Sequence, residues 1–483
     1  MQTFQLMESL LTLLTRFPYW ALNKEQRHQL LSQARIYLTE NPEDANLTTE
    51  ELRQMVGQMT ANHLMNRVQR YVAKIQGTKQ YWYQRYQELK ALITQKGAPT
   101  FFFTFSAADN YWPDLHRLLQ EPNNAVPSIR IRAVIDNPHI TYAFFVSRLD
   151  EFCSHWLDRV MNAEWKWLRF EWQAQGSIHV HGCAKLSNVP GLCSLVKTAA
   201  QGWKLEQILR CREQHPSFLQ MSNDFQPQIE AGQQAQQTVK LYANWLVTTI
   251  NDALPQDNWT IPSPHPSAIS IENVDSLDRD YEALVNSVER HTKCSTAYCI
   301  KTEPGQQPTC RFNFPKDCQD ETTFDFQLIT KANSNDHELT VEEITQAQVK
   351  ATLTTKRNDG RVNSHNRVML HWRANVDLQA IVDTDQCIRY MAKYATKGEP
   401  RSQSASAILT ACVNRLDNPD TVSSALQRAM IQVAGERDIG SLETAHMLLG
   451  KPLYSCTYSF LCVSLDGSQS VRIGDEDDEN HAR

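Results

Sequence analysis

The chain has 483 residues, with 48 Lys and Arg against 54 Asp and Glu for a formal net charge of −6, and is 41% hydrophobic and 21% charged. That length exceeds what one hydrophobic core usually supports, so several lobes are expected, and the composition excludes a disordered or collagen-like chain. No apolar run reaches the roughly 18 residues of a membrane span and no signal peptide is apparent, so the 12 cysteines read as reduced thiols and metal ligands instead of a disulfide scaffold.

Residues 1–95 read as a helical N-terminal region, with apolar periodicity near Glu25 to Leu38, Thr48 to Met59 and Asn62 to Ile93 and a polar break at Asn41 to Asn46. Tyr81, Trp82, Tyr83 and Tyr86 fall at near-helical spacing, which favours a core or lobe contact over a base-stacking platform. At Pro99 the character changes. PTFFFTFS (Pro99 to Ser106) is aromatic and β-branched and predicts a buried strand, followed by a loop carrying Asp109, Asn110 and Trp112. Asp136-Asn137-Pro138 is a helix start, and Phe145, Leu149, Phe152, Trp156 and Val160 recur along one face of a helix expected to run to about Val160.

RFEWQAQGSIHVHGCAKL (Arg169 to Leu186) alternates with period 2 on either side of Gly176, which predicts two antiparallel strands joined by a short connection. On a strand, residues two apart face the same way, so His179 and His181 project together, as two ligands of one metal ion would. Across the turn Glu171 can bring a carboxylate to the same ion, and Gln173 is a second candidate. The bland alternative is a pair of hydrogen-bonded strand histidines, since His-x-His by itself is a weak signal. Residues 96–189 thus make a first α+β unit.

Residues 190–290 read as a helical insertion, broken by a proline-rich loop from Pro255 to Pro266. Residues 291–365 read as a cysteine-rich segment and linker. In it His291, Cys294, Cys299 and Cys310 bring four soft or borderline ligands into one stretch, with Cys318 beyond, as a structural Zn²⁺ site prefers. From Lys350 to Arg401 the chain carries an excess of cations, which suits phosphate, although a salt-bridged surface would look the same.

CIRYMAKYATKGE (Cys387 to Glu399), within the unit 366–400, predicts a helix stopped near Gly398. Tyr390 and Tyr394 lie one turn apart on it, with Lys393 and Lys397 as a second such pair. Paired tyrosines are usually core, yet phenols flanked by ammonium groups can serve as nucleophiles. Residues 401–474 read as a C-terminal helical region and 475–483 as an acidic tail. No G-x-x-x-x-G-K-[ST] phosphate loop occurs, so neither a nucleotide cofactor nor unwinding by this chain is expected.

FFFTFSAAD with Trp112, EWQAQGSIHVHG and the two-tyrosine helix, taken in this order, resemble the His-hydrophobic-His replication-initiator nucleases, and in particular the Helitron transposases. GTKQYWYQRYQELKALITQKGAP before the first strand, the segment ending CRFNFP, HWRANVDLQAIVD (His371 to Asp383) and ERDIGSLETAHMLLGKPLYS (Glu436 to Ser455) extend the likeness over roughly residues 60 to 465. The resemblance implies an α+β fold: a small antiparallel sheet flanked by helices, with helical N-terminal and inserted lobes. It implies a single-stranded DNA endonuclease and strand transferase in which His179 and His181, with Glu171 or Gln173, hold Mg²⁺ or Mn²⁺. Tyr390 or Tyr394 would form a 5′-phosphotyrosine, with Lys393 and Lys397 at phosphate. It also implies a nuclear location; the family's usual helicase domain is not found in this sequence, so a separate helicase is a candidate partner. Two other classes fit parts of the pattern: a DNA-binding protein that has lost the nuclease, and a zinc hydrolase built on His179, His181 and Glu171.

Overall fold

The computed structural model describes residues 2–56, 67–68, 70–122, 126–172, 176–213, 218–253, 259–296, 299–301, 307–329, 339–395, 405–414, 422–434 and 439–461. Among them a five-stranded sheet organises the molecule. Its strands are β1 (Phe101–Ser106), β2 (Ala163–Trp172), β3 (Ile178–Leu186), and two from far along the chain, Val376–Ala380 and Tyr454–Cys456. In space β1 and β3 are central and pair with each other; Val376–Ala380 flanks β1, while β2 and then Tyr454–Cys456 follow β3, every neighbour antiparallel. The fold is therefore α+β with a small antiparallel sheet flanked by helices, as expected.

Period-2 alternation assigns the two faces. Phe101, Phe103 and Phe105 point to the main core with Leu168, Phe170, Val180 and Trp372. Phe102, Trp167 and Cys183 point the other way, against helix α1 (Lys79–Lys96) and helix α2 (Thr384–Ala395), through Leu89, Leu92, Cys387, Ile388 and Met391. The helix Pro138–Phe152 covers the first face with Tyr142, Phe145 and Leu149. Gly182 sits where the sheet is tightest: a Cβ there would lie 2.4 Å from the Phe103 ring and 2.7 Å from Leu168.

Several elements depart from the expectation. The run from Asn62 to Ile93 is not one helix: a turn around Gly77, at φ 83°, and a Thr78 cap accepting from the Tyr81 N–H restart it at Lys79. The helix after Pro138 ends at Phe152 and continues as a π-helical turn, Cys153–Val160. The wider turn rotates the apolar stripe, so Leu157 is buried and Val160, counted with the core face, is 73% exposed.

The insertion is a helical hairpin, Leu192–Cys211 and Phe218–Leu246, whose backbones abut where a Cβ on Gly202 would lie 2.8 Å from the Gly232 Cα. Under it lies a strand hairpin, Thr323–Ile329 with Gln348–Thr354, in the segment read as linker. Phe324 fills a cluster with Ala199, Ala235 and Val239 there. The segment read as wholly helical at the C-terminus also contributes the strand Tyr454–Cys456, after helices 405–414, 422–434 and 441–448. The N-terminal helix shares a core with the first two of these through Leu30, Tyr37, Val413, Leu426 and Met430. Among the described residues no helix is long and apolar enough to cross a membrane.

Candidate metal and tyrosine site

The β2–β3 hairpin sets Glu171 opposite His179 and Arg169 opposite His181. Glu171 Oε2 lies 2.8 Å from His181 Nε2. Adjacent donor atoms on an octahedral ion with metal–oxygen distances of about 2.1 Å stand about 3 Å apart, so this pair has the separation of two ligands. His179 projects from the same sheet face, and Gln173 lies outside the described residues. Neighbouring β1 supplies hydroxyls to both rings: Thr104 Oγ1 is 2.9 Å from His181 Nδ1, and Ser106 Oγ is 2.9 Å from His179 Nδ1. Each imidazole is thus held through Nδ1, the arrangement in which a partner on one ring nitrogen orients the other toward a metal. Burial, then the neighbouring His181, pushes the His179 pKa down to about 4 against the opposing pull of Glu171. The ring is neutral at pH 7, the form that can donate a lone pair.

Tyr390 approaches this face from α2. Its ring meets Phe102 edge-on at 4.8 Å, and Phe102 stacks on His181 at 6.1 Å between centroids. The structure therefore brings Glu171, His179, His181 and Tyr390 to one side of one sheet, although Tyr390 is 209 positions beyond His181 in the chain. The helix continues through Lys393 and Tyr394, whose side chains lie outside the described residues, as does Lys397.

The second cluster is drawn tighter. Among the described residues, the one group of three or more His, Cys, Asp or Glu donors drawn together as around a single ion is His291, Cys294, Cys299 and Cys310, with donor atoms all within 4.8 Å of one another; Glu171, His179 and His181 are not gathered as a trio, and of these the Glu171–His181 pair has a ligand separation. His291 Nε2 is 3.3, 3.6 and 3.7 Å from the sulfurs of Cys294, Cys299 and Cys310. A tetrahedral zinc with bonds of about 2.0 Å to nitrogen and 2.3 Å to sulfur places such atoms about 3.5 Å apart, so this cluster could hold a metal such as zinc. The sequence folds this way because Ile300 pairs with Cys310 in a two-residue ladder that returns the fourth ligand to the first three. Cys318 is exposed and stands apart from the group.

Sequence reasoning missed the partners on the outer strand. Asp377 sits opposite Thr104 on the site face, and burial pushes its carboxyl up to about 6 against the opposing pull of Lys316 and Gln379. Asp109, in the loop after β1, is likewise raised to about 6 by burial, with Ser177 opposing. Three cations of the stretch from Lys350 are committed within the fold. Buried Arg373 pairs with Asp280, Arg367 with Asp278 at 2.6 Å, and Arg357 donates to backbone carbonyls. The salt-bridged alternative accounts for Arg367 and Arg373.

No curated protein matches the chain. Residues 5–183 match the family model described as the Helitron helicase-like domain at N-terminus, a span that takes in β1, β2, Glu171, His179 and His181. This part of the chain is thus similar to the Helitron helicase-like N-terminal domain, which suggests a Helitron-associated function broadly for the imidazole-bearing hairpin.

Proposed function

We propose that the protein is a metal-dependent endonuclease and strand transferase for single-stranded DNA, working through a 5′-phosphotyrosine as in rolling-circle transposition. The observation that carries this reading is the shared sheet face: Glu171 and both imidazoles on one hairpin, with Tyr390 against Phe102 beside them. A hydrolase that activates water has no use for that phenol.

Glu171, His179 and His181 would hold the divalent ion, Mg²⁺ or Mn²⁺, with the two imidazoles favouring Mn²⁺ tolerance. When bound, the ion supplies charge neutralisation at the non-bridging oxygens of the scissile phosphate. The Tyr390 oxygen attacks phosphorus, an O–P bond forms, the bond from phosphorus to the 3′-oxygen breaks, and the phenolic proton ends on the released 3′-hydroxyl. Tyr394 would take a second strand in the same way. Lys393 and Lys397 are assigned to phosphate contacts. Because the phosphotyrosine keeps the ester bond, a strand 3′-hydroxyl can displace it without a nucleotide cofactor. The His291, Cys294, Cys299 and Cys310 group is assigned a structural zinc that closes its hairpin, and the nucleus is the compartment where such a protein would act.

The test is a denaturing gel of the protein incubated with end-labelled single-stranded DNA and Mn²⁺. Labelled protein is expected, reduced by Tyr390→Phe or Tyr394→Phe alone, and lost in the double variant and in His179→Ala. Free cleaved DNA without a protein adduct would instead identify a hydrolase. DNA binding without cleavage, indifferent to Mn²⁺ and to both tyrosines, would identify a binding module.

A further inference from the structure

The HWRANVDLQAIVD stretch has no role in the chemistry above, yet its Asn375 reaches His179. Ser106 Oγ lies 2.9 Å from His179 Nδ1 and 3.3 Å from Asn375 Oδ1. Asn375 Nδ2 donates both ways, to Glu289 Oε2 at 2.6 Å and to the Val288 carbonyl at 3.1 Å. Glu289 is itself buried, and its other oxygen accepts from the Val376 N–H at 2.6 Å. Glu289 lies two residues before His291, at the edge of the cysteine cluster.

Donor–acceptor matching favours one direction of donation. Two acceptors face the Asn375 amide, so its NH₂ must point at them, and its oxygen is left facing Ser106. That oxygen can only accept, so the single Ser106 hydroxyl proton is given to it. Ser106 can then only accept from His179, which must carry its proton on Nδ1. The Nε2 lone pair is left open.

We propose that Glu289 is a positioning residue which, through Asn375 and Ser106, locks His179 in the tautomer that can ligate an ion. The inference rests on the reading of His179 as a metal ligand. It also gives the cysteine-rich segment a consequence at the metal site, because the residue that starts the relay is anchored beside it.

Glu289→Gln tests this directly. A glutamine amide facing Asn375 would favour flipping it, so that Ser106 donates to His179 Nδ1 and the proton moves to Nε2. Mn²⁺ affinity, measured by titration followed with electron paramagnetic resonance, should fall about 10- to 100-fold, the usual range for a partner of a metal-bound histidine. In protein with ¹⁵N-labelled histidine, the His179 ring signals of the ion-free protein should change from the Nδ1–H to the Nε2–H pattern, which a merely structural role would not cause. Should Glu289→Gln fail to fold, Ser106→Ala should weaken Mn²⁺ binding and Ser106→Thr restore it. Affinity within about twofold of the parent in Glu289→Gln or Ser106→Ala, with binding lost in His179→Ala, overturns the relay and leaves the site. Binding retained in His179→Ala overturns both.

Discussion

His446 illustrates at the scale of one residue how burial, not identity, sets behaviour. It packs among Tyr142, Phe170 and Trp172 with ring centroids 4.9 to 5.3 Å away, behind the sheet from His179 and His181. Burial holds its pKa down to about 4, against the opposing backbone carbonyls of Pro452 and Lys451. Its folded-state pKa lies below the unfolded value near 6.5, so the unfolded chain binds the extra proton. The stability this residue contributes is complete above pH 6.5 and is lost as pH falls toward 4. His446→Phe removes that loss. Relative to the parent, the variant should gain about 2 kcal/mol between pH 7 and pH 5, read as a melting-temperature difference that moves in its favour on acidification. A difference constant with pH would show that the ring is not held neutral. The sequence marks His179 by its His-x-His strand and His291 by its cysteine spacing, but the burial of His446 is set by neighbours from other elements.

At the scale of elements, the β2–β3 hairpin was legible because its alternation and glycine turn are local. The register of Glu171 against His179 follows from the length of that turn. The tyrosine helix was legible for the same reason, with Ile388 and Met391 buried on its predicted face. The π turn at Cys153–Val160 was not, since no pattern at a 3.6-residue period announces one widened turn. The strand hairpin 323–354 was read as linker because its two halves pair across intervening chain and gain their apolar partners from the helical hairpin above. The cysteine ladder is the element with least core of its own, since Ile300–Lys301 and Thr309–Cys310 make only a two-residue pairing. Chelation of a bound metal, or Cys310→Ser, should therefore speed limited proteolysis between residues 290 and 316 by tenfold or more while the main melting transition moves little. Cleavage that is indifferent to chelator would remove the metal from the account of that hairpin.

Across the whole molecule, the sheet is closed by strands from positions 376–380 and 454–456, the latter following Leu453, which is fully buried in the main core. Tyr454 then packs on Tyr81 and Trp167 and accepts a hydrogen bond from Arg85, tying α1 to the sheet edge. Leu453→Ala should cost about 2–5 kcal/mol. The loss should appear as faster amide exchange along β2, including the backbone around Glu171, although the substitution is almost 300 positions away. Unchanged β2 protection would show that the C-terminal strand is an ornament on an independently stable hairpin.

The sequence by itself determined what depends on neighbours in the chain: the strand-borne imidazole pair, the helix-borne phenols, the four clustered zinc-type ligands, and the likeness that the match over residues 5–183 bears out. Tertiary structure alone decided which distant segments meet. It carried Tyr390 to Phe102 and His181, gave His179 its Ser106, Asn375 and Glu289 partners, and turned cations that looked available for phosphate into internal pairs with Asp280 and Asp278. Periodicity reports which way a side chain faces within its own element. The partner it finds there depends on chain closure across tens to hundreds of residues, and no local pattern records that.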